Sequence, residues 1–301
     1  MKNLIILSTL LMLLSSCSSD DDSTIEEEQN TTQTRVKAIN INGNLFYDMV
    51  YNDKSRITAI NIKNASGTAS TIYTYNEQSQ PKKKGEAIYT YNAEGRVSTI
   101  TTSKYSIDQT YNEEGQIEQE IVVASNNNSL DSRVFAYNTQ GQITEIKEQH
   151  ISTNTGIAPY QKFIITYNNN ANITKVVEKR SFNDTTYKDS FETTFGYDDK
   201  NNPLLNLQLN TGGNQGISHY MGVLHHFGDN HLPSEPRLYF YNKNNILFSA
   251  RTNLNNNKTY KTTYEHQYNV EGYPIITTQT IFNPNSQTSD TIKYAWTYEK
   301  Q

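Results

Sequence analysis

The chain of 301 residues contains 22 Tyr, 10 Phe and a single Cys, and its formal net charge at pH 7 is −5. One of its 26 basic residues is Lys2, and six of its 31 acidic residues precede residue 30, so the remainder holds 25 basic and 25 acidic side chains. A body without net charge has no long-range attraction for nucleic acid or for an anionic membrane surface. We therefore expect no nucleic-acid partner.

An apolar run from Leu4 to Leu14 follows Lys2 at the N-terminus. The run is too short to cross a bilayer and is typical of a secretory signal peptide. It ends in Leu14-Ser15-Ser16-Cys17, which resembles a bacterial lipobox. The resemblance implies that residues 1–16 are removed and that Cys17 is the lipid-attachment site, whereas the alternative is an ordinary signal peptide with an unmodified thiol. Because Cys17 is the only cysteine, a disulfide within the chain is excluded.

An acidic and almost entirely polar segment comes next, at residues 17–34. It contains Asp20-Asp21-Asp22 and Glu26-Glu27-Glu28. Such a composition cannot bury enough apolar surface to fold, so we expect a flexible tether. An acidic run after the lipidated cysteine also resembles the export signal of Bacteroidetes lipoproteins. That resemblance implies an outer-membrane lipoprotein exposed on the cell surface, whereas the alternative is a solubilising linker.

A tyrosine recurs along the rest of the chain, each time followed by Asn or Asp and then by turn-forming residues. The nine are Tyr51, Tyr75, Tyr91, Tyr111, Tyr137, Tyr167, Tyr197, Tyr241 and Tyr268. Asn favours the first position of a type I turn, and Gly in the fourth position can take the left-handed conformation of a bulged hairpin. The fourth position holds Ser55, Ser79, Gly95, Gly115, Gly141, Ala171, Asn201, Asn245 and Gly272. The Ser and Ala units must either be strained or use another turn.

The period of two in a strand decides which residues share a face with the repeat tyrosines. In such a hairpin each tyrosine lies opposite the residue six positions later, which is Ile57, Pro81, Val97, Ile117, Ile143, Ile173, Pro203, Leu247 or Pro274. Most residues two positions before the tyrosines are apolar, as at Met49 and Phe135, so this face is predicted to be packed. Intervening threonines such as Thr90 and Thr166 predict that the opposite face is solvated.

These units predict an all-β fold, an antiparallel up-and-down meander of repeated hairpins that forms a curved or barrel-like sheet with almost no helix. No apolar stripe of period 3.6 follows the N-terminal run. We expect residues 35–301 to form a single domain, because each hairpin packs mainly on its neighbours. Whether the sheet closes is left open. A membrane-spanning barrel is disfavoured, because Thr, Lys, Gln and Asn occupy the outward positions.

Three units, at residues 91–97, 111–117 and 137–143, resemble YD repeats of the RHS type, with Asn in place of the usual Asp. Tyr197-Asp198 keeps the Asp. Together with the lipobox, these repeats make the chain similar to Bacteroidetes lipoproteins of the DUF4595-like class, most clearly from Phe195 to Pro203. The resemblance implies a porin-like β fold and no known activity. In large RHS proteins such repeats build a shell around a toxin.

The repeat lapses between Tyr197 and Tyr241. We predict an irregular insertion at about residues 204–238, which could be a binding loop or a cap over a sheet edge. It holds four of the six histidines, which are candidate binding residues: His219, His225, His226 and His231. Their spacing matches no zinc signature, so neither a metal nor another cofactor is predicted.

Familiar catalytic motifs are missing from the sequence, which has no Gly-x-Ser-x-Gly, phosphate loop or dinucleotide fingerprint. Carboxylate pairs such as Asp198 and Asp199 fall in predicted turns. The leading hypothesis is therefore a surface-anchored, noncatalytic binding, adhesion or scaffold module for a glycan or an envelope protein, held to the outer membrane by its lipid. The alternatives are a structural component of the envelope and a hydrolase with an unrecognised site.

Overall fold

The computed structural model describes residues 34–125, 129–152, 156–157, 160–181, 186–205 and 242–300. The predicted signal peptide, Cys17, the tether before Thr34 and the four histidines of the insertion lie outside the described residues. The strands are β1 Thr34–Ile41, β2 Leu45–Tyr51, β3 Ile57–Asn64, β4 Gly67–Tyr75, β5 Pro81–Lys84, β6 Ala87–Tyr91, β7 Val97–Thr101, β8 Tyr105–Tyr111, β9 Ile117–Ala124, β10 Ser129–Tyr137, β11 Ile143–Ser152, β12 Gly156–Ile157, β13 Tyr160–Tyr167, β14 Ile173–Ser181, β15 Lys188–Asn201, β16 Asn244–Asn253, β17 Lys258–Tyr268, β18 Pro274–Asn283 and β19 Thr288–Lys300.

The strands form a single closed antiparallel sheet. Each pairs with its neighbours along the chain, and β1 pairs with β19, so the meander closes into a barrel. The two-residue β12 pairs only with the end of β11, which also pairs with β13, and the wall therefore has eighteen strands. This confirms the predicted all-β meander and shows that it closes. Because β15 pairs directly with β16, the insertion between them is not needed as a cap for a sheet edge.

The repeat hairpins have the predicted register. Seven tyrosines pair with the residue six positions later, each across a bulge: Tyr51, Tyr75, Tyr91, Tyr111, Tyr137, Tyr167 and Tyr268. The fourth turn residue has a positive φ in all seven, including Ser55 at 58°, Ser79 at 64° and Ala171 at 63°. The Ser and Ala units therefore use the same turn, at a cost of roughly 1–2 kcal/mol for each left-handed residue with a Cβ.

Two units depart from the predicted hairpin. Tyr197 pairs with Ile246 rather than with Pro203, because β15 continues to Asn201 instead of turning after Tyr197. Asn201 and Asn245 do not adopt a positive φ, unlike the fourth residue of the other described units. Tyr241 lies outside the described residues. The prediction that Tyr197 begins an ordinary repeat turn was therefore wrong, since its fourth residue stays in extended backbone.

The two faces of the sheet differ as predicted. Seven of the residues two positions before a repeat tyrosine are buried, and they point inward: Met49, Tyr73, Tyr89, Gln109, Phe135, Ile165 and Phe195. The intervening Thr74, Thr90, Thr110 and Thr166 are exposed on the outer face. The inward face also includes Phe163 and Ile57, whose side chains are completely buried. Apolar burial on this face supplies the main stabilisation of the barrel.

Nine tyrosines form a continuous series at one end of the barrel, which we call the tyrosine belt. Where neighbouring hairpins diverge, a tyrosine hydroxyl donates to a backbone carbonyl that the ladder does not reach. For example, the β9–β10 ladder ends at Gln119, and the Tyr137 hydroxyl lies 2.8 Å from the Ile117 carbonyl oxygen. Eight belt members bond a carbonyl in this way: Tyr51, Tyr75, Tyr91, Tyr111, Tyr137, Tyr167, Tyr197 and Tyr298.

The belt also crosses the seam where the chain ends meet. Tyr298 of β19 pairs with Val36 of β1, and the Val36 carbonyl accepts the hydroxyl of Tyr51. The Tyr298 hydroxyl in turn donates to the Pro274 carbonyl over 2.6 Å. The ninth member, Tyr268, donates instead to the Asp198 carboxylate. The belt therefore runs around the barrel with one step that uses a side-chain acceptor.

Two buried carboxylates inside the barrel pair with arginines. Glu178 and Arg251 are 1% and 5% exposed, and their carboxylate and guanidinium groups approach to 2.7 Å. Glu120 is completely buried and lies 3.6 Å from the guanidinium of Arg133. Removing one partner of such a buried pair costs about 3–5 kcal/mol, because the other charge is left in a medium of low polarity. The first pair joins β14 to β16 across β15, and the second joins the adjacent strands β9 and β10.

The outer face carries ion pairs between neighbouring strands. Lys162 lies 3.0 Å from Glu145, and Lys179 lies 2.9 Å from Asp189. A lysine facing lipid at the bilayer midplane costs about 2–4 kcal/mol. The outer face of these strands is therefore suited to water.

Among the described residues, no helix combines the length and the hydropathy that spanning a bilayer requires.

The half-buried belt makes stability sensitive to alkaline pH. Burial raises the pKa of Tyr75 and of Tyr111 from 10.0 to about 12, and raises the pKa of Tyr167 and Tyr298 as well. Above pH 10 the unfolded chain releases these protons while the folded protein keeps them, so the free energy of unfolding falls as pH rises. Burial lowers the pKa of Lys84 to about 8, which acts in the opposite direction between pH 8 and 10.5.

We therefore expect denaturant midpoints that hold up to pH 10 and fall steeply by pH 12, measured by circular dichroism. Tyrosinate absorbance should rise together with loss of structure. Ionisation of most tyrosines near pH 10 in a protein that stays folded would contradict a half-buried belt.

Candidate functional site

Tyr268 is the belt tyrosine whose acceptor is a side chain. Its acceptor, Asp198, lies where the regular repeat is interrupted after Tyr197. The Asp198 carboxylate accepts the hydroxyl of Tyr268, the backbone N–H of Asn245 at 3.0 Å and the Asn245 side-chain amide at 3.2 Å. Burial, followed by the hydrogen bond to Asp198, raises the pKa of Tyr268. Asp198 thus supplies the acceptor that a backbone carbonyl supplies elsewhere in the belt. It is a structural group, because these three donors and the backbone N–H of Lys200 at 2.9 Å occupy the carboxylate.

Four buried asparagines beside this step form a network that we call the asparagine clasp: Asn172, Asn202, Asn242 and Asn244. The Asn172 amide donates to the Asn244 side-chain oxygen at 2.8 Å. The Asn242 side chain accepts the N–H of Ile173 at 2.7 Å and donates to the Tyr197 hydroxyl at 2.9 Å. Each side chain therefore uses both its donor and its acceptor capacity across different strands, which makes asparagine suitable here.

The clasp also joins the two sides of the long insertion. The Asn202 amide donates to the Asn242 carbonyl at 2.7 Å, and the Asn202 N–H donates to the Lys243 carbonyl at 3.2 Å. Asn202 and Asn242 stand at either end of segment 203–241, so this segment leaves and re-enters the barrel at one place. Truncating a buried, bonded amide costs about 1–3 kcal/mol for each partner left unsatisfied.

A pocket next to the clasp, inside the barrel, is lined mainly by apolar and aromatic side chains. We call it the aromatic pocket; its cavity volume is about 60 Å³. The lining is Asn202, Pro203, Leu204, Asn245, Ile246, Tyr264, His266, Pro274, Thr277, Gln279, Tyr294 and Trp296. Tyr264 is stacked with His266 at a centroid distance of 6.4 Å, and Tyr294 stands at the same distance from Trp296. The cavity is large enough for a few waters or for one small group of a ligand.

A chain of hydrogen bonds fixes the protonation of His266. Its Nε2 lies 2.8 Å from the Ile246 carbonyl, which can only accept, so Nε2 carries the hydrogen. Trp296 Nε1 donates to the Thr277 hydroxyl at 3.1 Å, and that hydroxyl donates to His266 Nδ1 at 2.9 Å. Burial lowers the pKa of His266. The imidazole is therefore a neutral wall of the pocket with both nitrogens occupied.

The remaining polar groups of the pocket are also engaged. The Gln279 amide donates to the Tyr264 hydroxyl at 3.3 Å, and its oxygen accepts the Tyr294 hydroxyl at 2.6 Å. The lining includes no carboxylate, lysine or arginine among the described residues. Within the same part of the chain, no group of three or more His, Cys, Asp or Glu could hold a metal ion. The arrangement presents aromatic faces rather than a nucleophile or an acid and base.

Of the described residues that line the aromatic pocket, Leu204 alone falls in the predicted insertion at residues 204–238. The candidates His219, His225, His226 and His231 and the lipid-attachment site Cys17 lie outside the described residues, so their roles stay predictions. The pocket instead uses Trp296, the single tryptophan of the chain, and His266, two positions before Tyr268. A histidine at a position that is mostly apolar in other repeats was the available signal. The clasp has no sequence signature, because asparagine is common throughout the chain.

Solved structures similar to this chain include two porin-like proteins from Bacteroides. The protein from Bacteroides vulgatus is 11% identical, covering 89% of this chain and 99% of its own, with a TM-score of 0.49. The protein from Bacteroides uniformis is 12% identical, covering 88% and 96%, with a TM-score of 0.45. A Tc holotoxin pore from Photorhabdus luminescens is 11% identical, covering 80% of this chain but 12% of its own, with a TM-score of 0.25.

No protein-family model and no curated protein matches the chain. The similarity to YD/RHS repeats and to DUF4595-like lipoproteins therefore stays a prediction.

Proposed function

We propose that the protein is a noncatalytic binding module of the bacterial outer envelope and that its ligand enters the aromatic pocket. The proposal rests on the side chains that line the aromatic pocket and on the hydrogen bonds among them. The ring faces of Tyr264, Tyr294 and Trp296 line it, while its polar side chains bond one another. Such a lining gains free energy by covering an apolar or cyclic group, and it holds no group poised for acid–base or nucleophilic chemistry.

The volume and lining of the pocket restrict the part of the ligand that can enter it to one small group of a larger molecule. A cavity of about 60 Å³ cannot enclose a whole oligosaccharide or peptide. It suits a single sugar ring edge or one amino-acid side chain packed against aromatic faces. We therefore propose a glycan or a protein as the ligand, bound through one group that enters the pocket. Leu204, the first residue of the predicted insertion, lies in the lining.

We also propose that a lipid anchors the protein at the cell surface. Cys17 would carry the lipid, residues 17–34 would act as a tether, and the barrel would stand in water beside the outer membrane. The ion pairs on the outer face support this placement, because Lys162 and Lys179 have partners there that lipid would desolvate.

The single tryptophan provides a direct test of binding. We expect a panel of methyl glycosides and tripeptides with a central aromatic residue to contain at least one member that changes Trp296 emission saturably. Tyr264→Ala removes a wall of the pocket and should weaken that binding about tenfold or more. Tyr260→Ala is the matched control, because Tyr260 lies on the same strand and face but outside the pocket.

Leu204→Phe gives a second variant that narrows the pocket and keeps its walls, and circular dichroism checks that each variant folds. Binding that survives both Tyr264→Ala and Leu204→Phe would contradict the proposed site, as would a panel that leaves Trp296 emission unchanged.

Lipid anchoring is tested separately with Cys17→Ser. We expect the native chain to incorporate radiolabelled palmitate, to fractionate with outer membranes and to be degraded by protease added to intact cells. Cys17→Ser should lose the label and leave the membrane fraction. Ser16→Thr, next to the cysteine, is the control for a general defect in export. A Cys17→Ser protein that stays in the outer membrane would show that another element holds it there.

A further inference from the structure

Neighbouring turns of the repeat are closed against each other by one side chain. The residue after the fourth turn position reaches over the fourth residue of the next turn. Gln80 donates to the Gly95 carbonyl at 2.7 Å, and a methyl group on Gly141 would lie 3.1 Å from the Gln116 amide nitrogen. Glycine therefore serves two purposes at these turns, because it accepts the positive φ and leaves room for this side chain.

The turn of residues 168–171 differs from its predecessor in its fourth residue. This residue is Ala171, which keeps a positive φ of 63° and carries a methyl group where the preceding turn has Gly141. Gln142, the equivalent of Gln80 and Gln116, accepts a hydrogen bond from Asn138 of its own turn at 2.8 Å, as those two side chains do in theirs. Gln142 and Ala171 both line the space between the two turns.

A groove of about 570 Å³ lies between them. It is lined by Asn138, Gln140 and Gln142 from one turn, by Asn168 and Asn169 from the other, and by the side of Tyr167. Its volume is within the range of about 300–1,000 Å³ typical of ligand sites. The Tyr167 hydroxyl is held by the Ile143 carbonyl at 2.8 Å, which fixes the aromatic ring in the wall.

We propose that this rim groove, residues 138–142 together with 167–171, binds a neutral oligosaccharide. Each side-chain amide offers a donor and an acceptor on adjacent atoms, which matches the paired donors and acceptors of neighbouring sugar hydroxyls. The Tyr167 ring offers a surface for the apolar face of a sugar. The lining holds no charged side chain, so it supplies no counter-ion for an anionic polymer or for peptide termini.

The rim groove and the aromatic pocket share no lining residue. The experiment therefore distinguishes binding in the groove from binding in the pocket. Isothermal titration calorimetry of the mature chain in detergent would use maltotriose, cellotriose and xylotriose as neutral probes and trigalacturonate as the charged probe. We expect saturable heat with at least one neutral probe, without a change in Trp296 emission. A saturable emission change with the same probe would assign that probe to the aromatic pocket and overturn the groove proposal.

Because the turns repeat along the chain, each groove variant can be compared with a control variant at equivalent positions of other turns. The double variant Gln140→Ala/Asn169→Ala removes two amides of the groove and should weaken binding about tenfold or more. Glu94→Ala/Glu113→Ala alters the equivalent positions of two earlier neighbouring turns and should leave the affinity unchanged. The proposal fails if no neutral probe gives saturable heat up to about 10 mM, if trigalacturonate binds more tightly, or if the double variant retains native affinity.

Discussion

The hydrogen bond from a tyrosine hydroxyl to a carbonyl of the preceding hairpin is the contact on which the barrel depends. Neighbouring hairpins diverge at the repeat end, so the carbonyl of a residue such as Ile117 has no partner in the ladder. A buried carbonyl without a partner costs about 1–3 kcal/mol. Tyr137 reaches across the gap and supplies the missing donor. Repeated around the wall, this contact connects each hairpin to the next and joins the first strand to the last through Tyr51 and Tyr298.

The same constraint explains where the aromatic pocket lies. At Tyr268 the acceptor is Asp198, because β15 runs straight through the position at which the other repeats turn. The chain then leaves for the long insertion and returns at Asn242, and the asparagine clasp holds both ends. The aromatic pocket lies directly beside this departure, so the one irregular step of the belt creates the space that a regular hairpin would fill. The rim groove lies between two regular turns of the repeat, one of which carries Ala171 in its fourth position.

The regular part of the structure could be predicted because local physics determines it. Asn112 and Gly115 specify a turn, Tyr111 and Ile117 specify a register, and both act within seven residues. Closure could not be predicted, since it depends on Tyr298 meeting Val36 across the length of the chain. The pocket was missed for a similar reason. Leu204, Ile246 and Trp296 are distant in sequence and converge only after the barrel has formed.

Substituting one belt hydroxyl tests this account most directly. Tyr137→Phe removes the donor to Ile117 and keeps the aromatic ring, while Tyr105→Phe makes the same change on a tyrosine that is 40% exposed and outside the belt. Equilibrium urea unfolding should show a loss of about 1–3 kcal/mol for Tyr137→Phe and less than about 0.5 kcal/mol for Tyr105→Phe. Equal stability of the two variants would show that the belt tyrosines act only by packing and would contradict the central role of their hydroxyls.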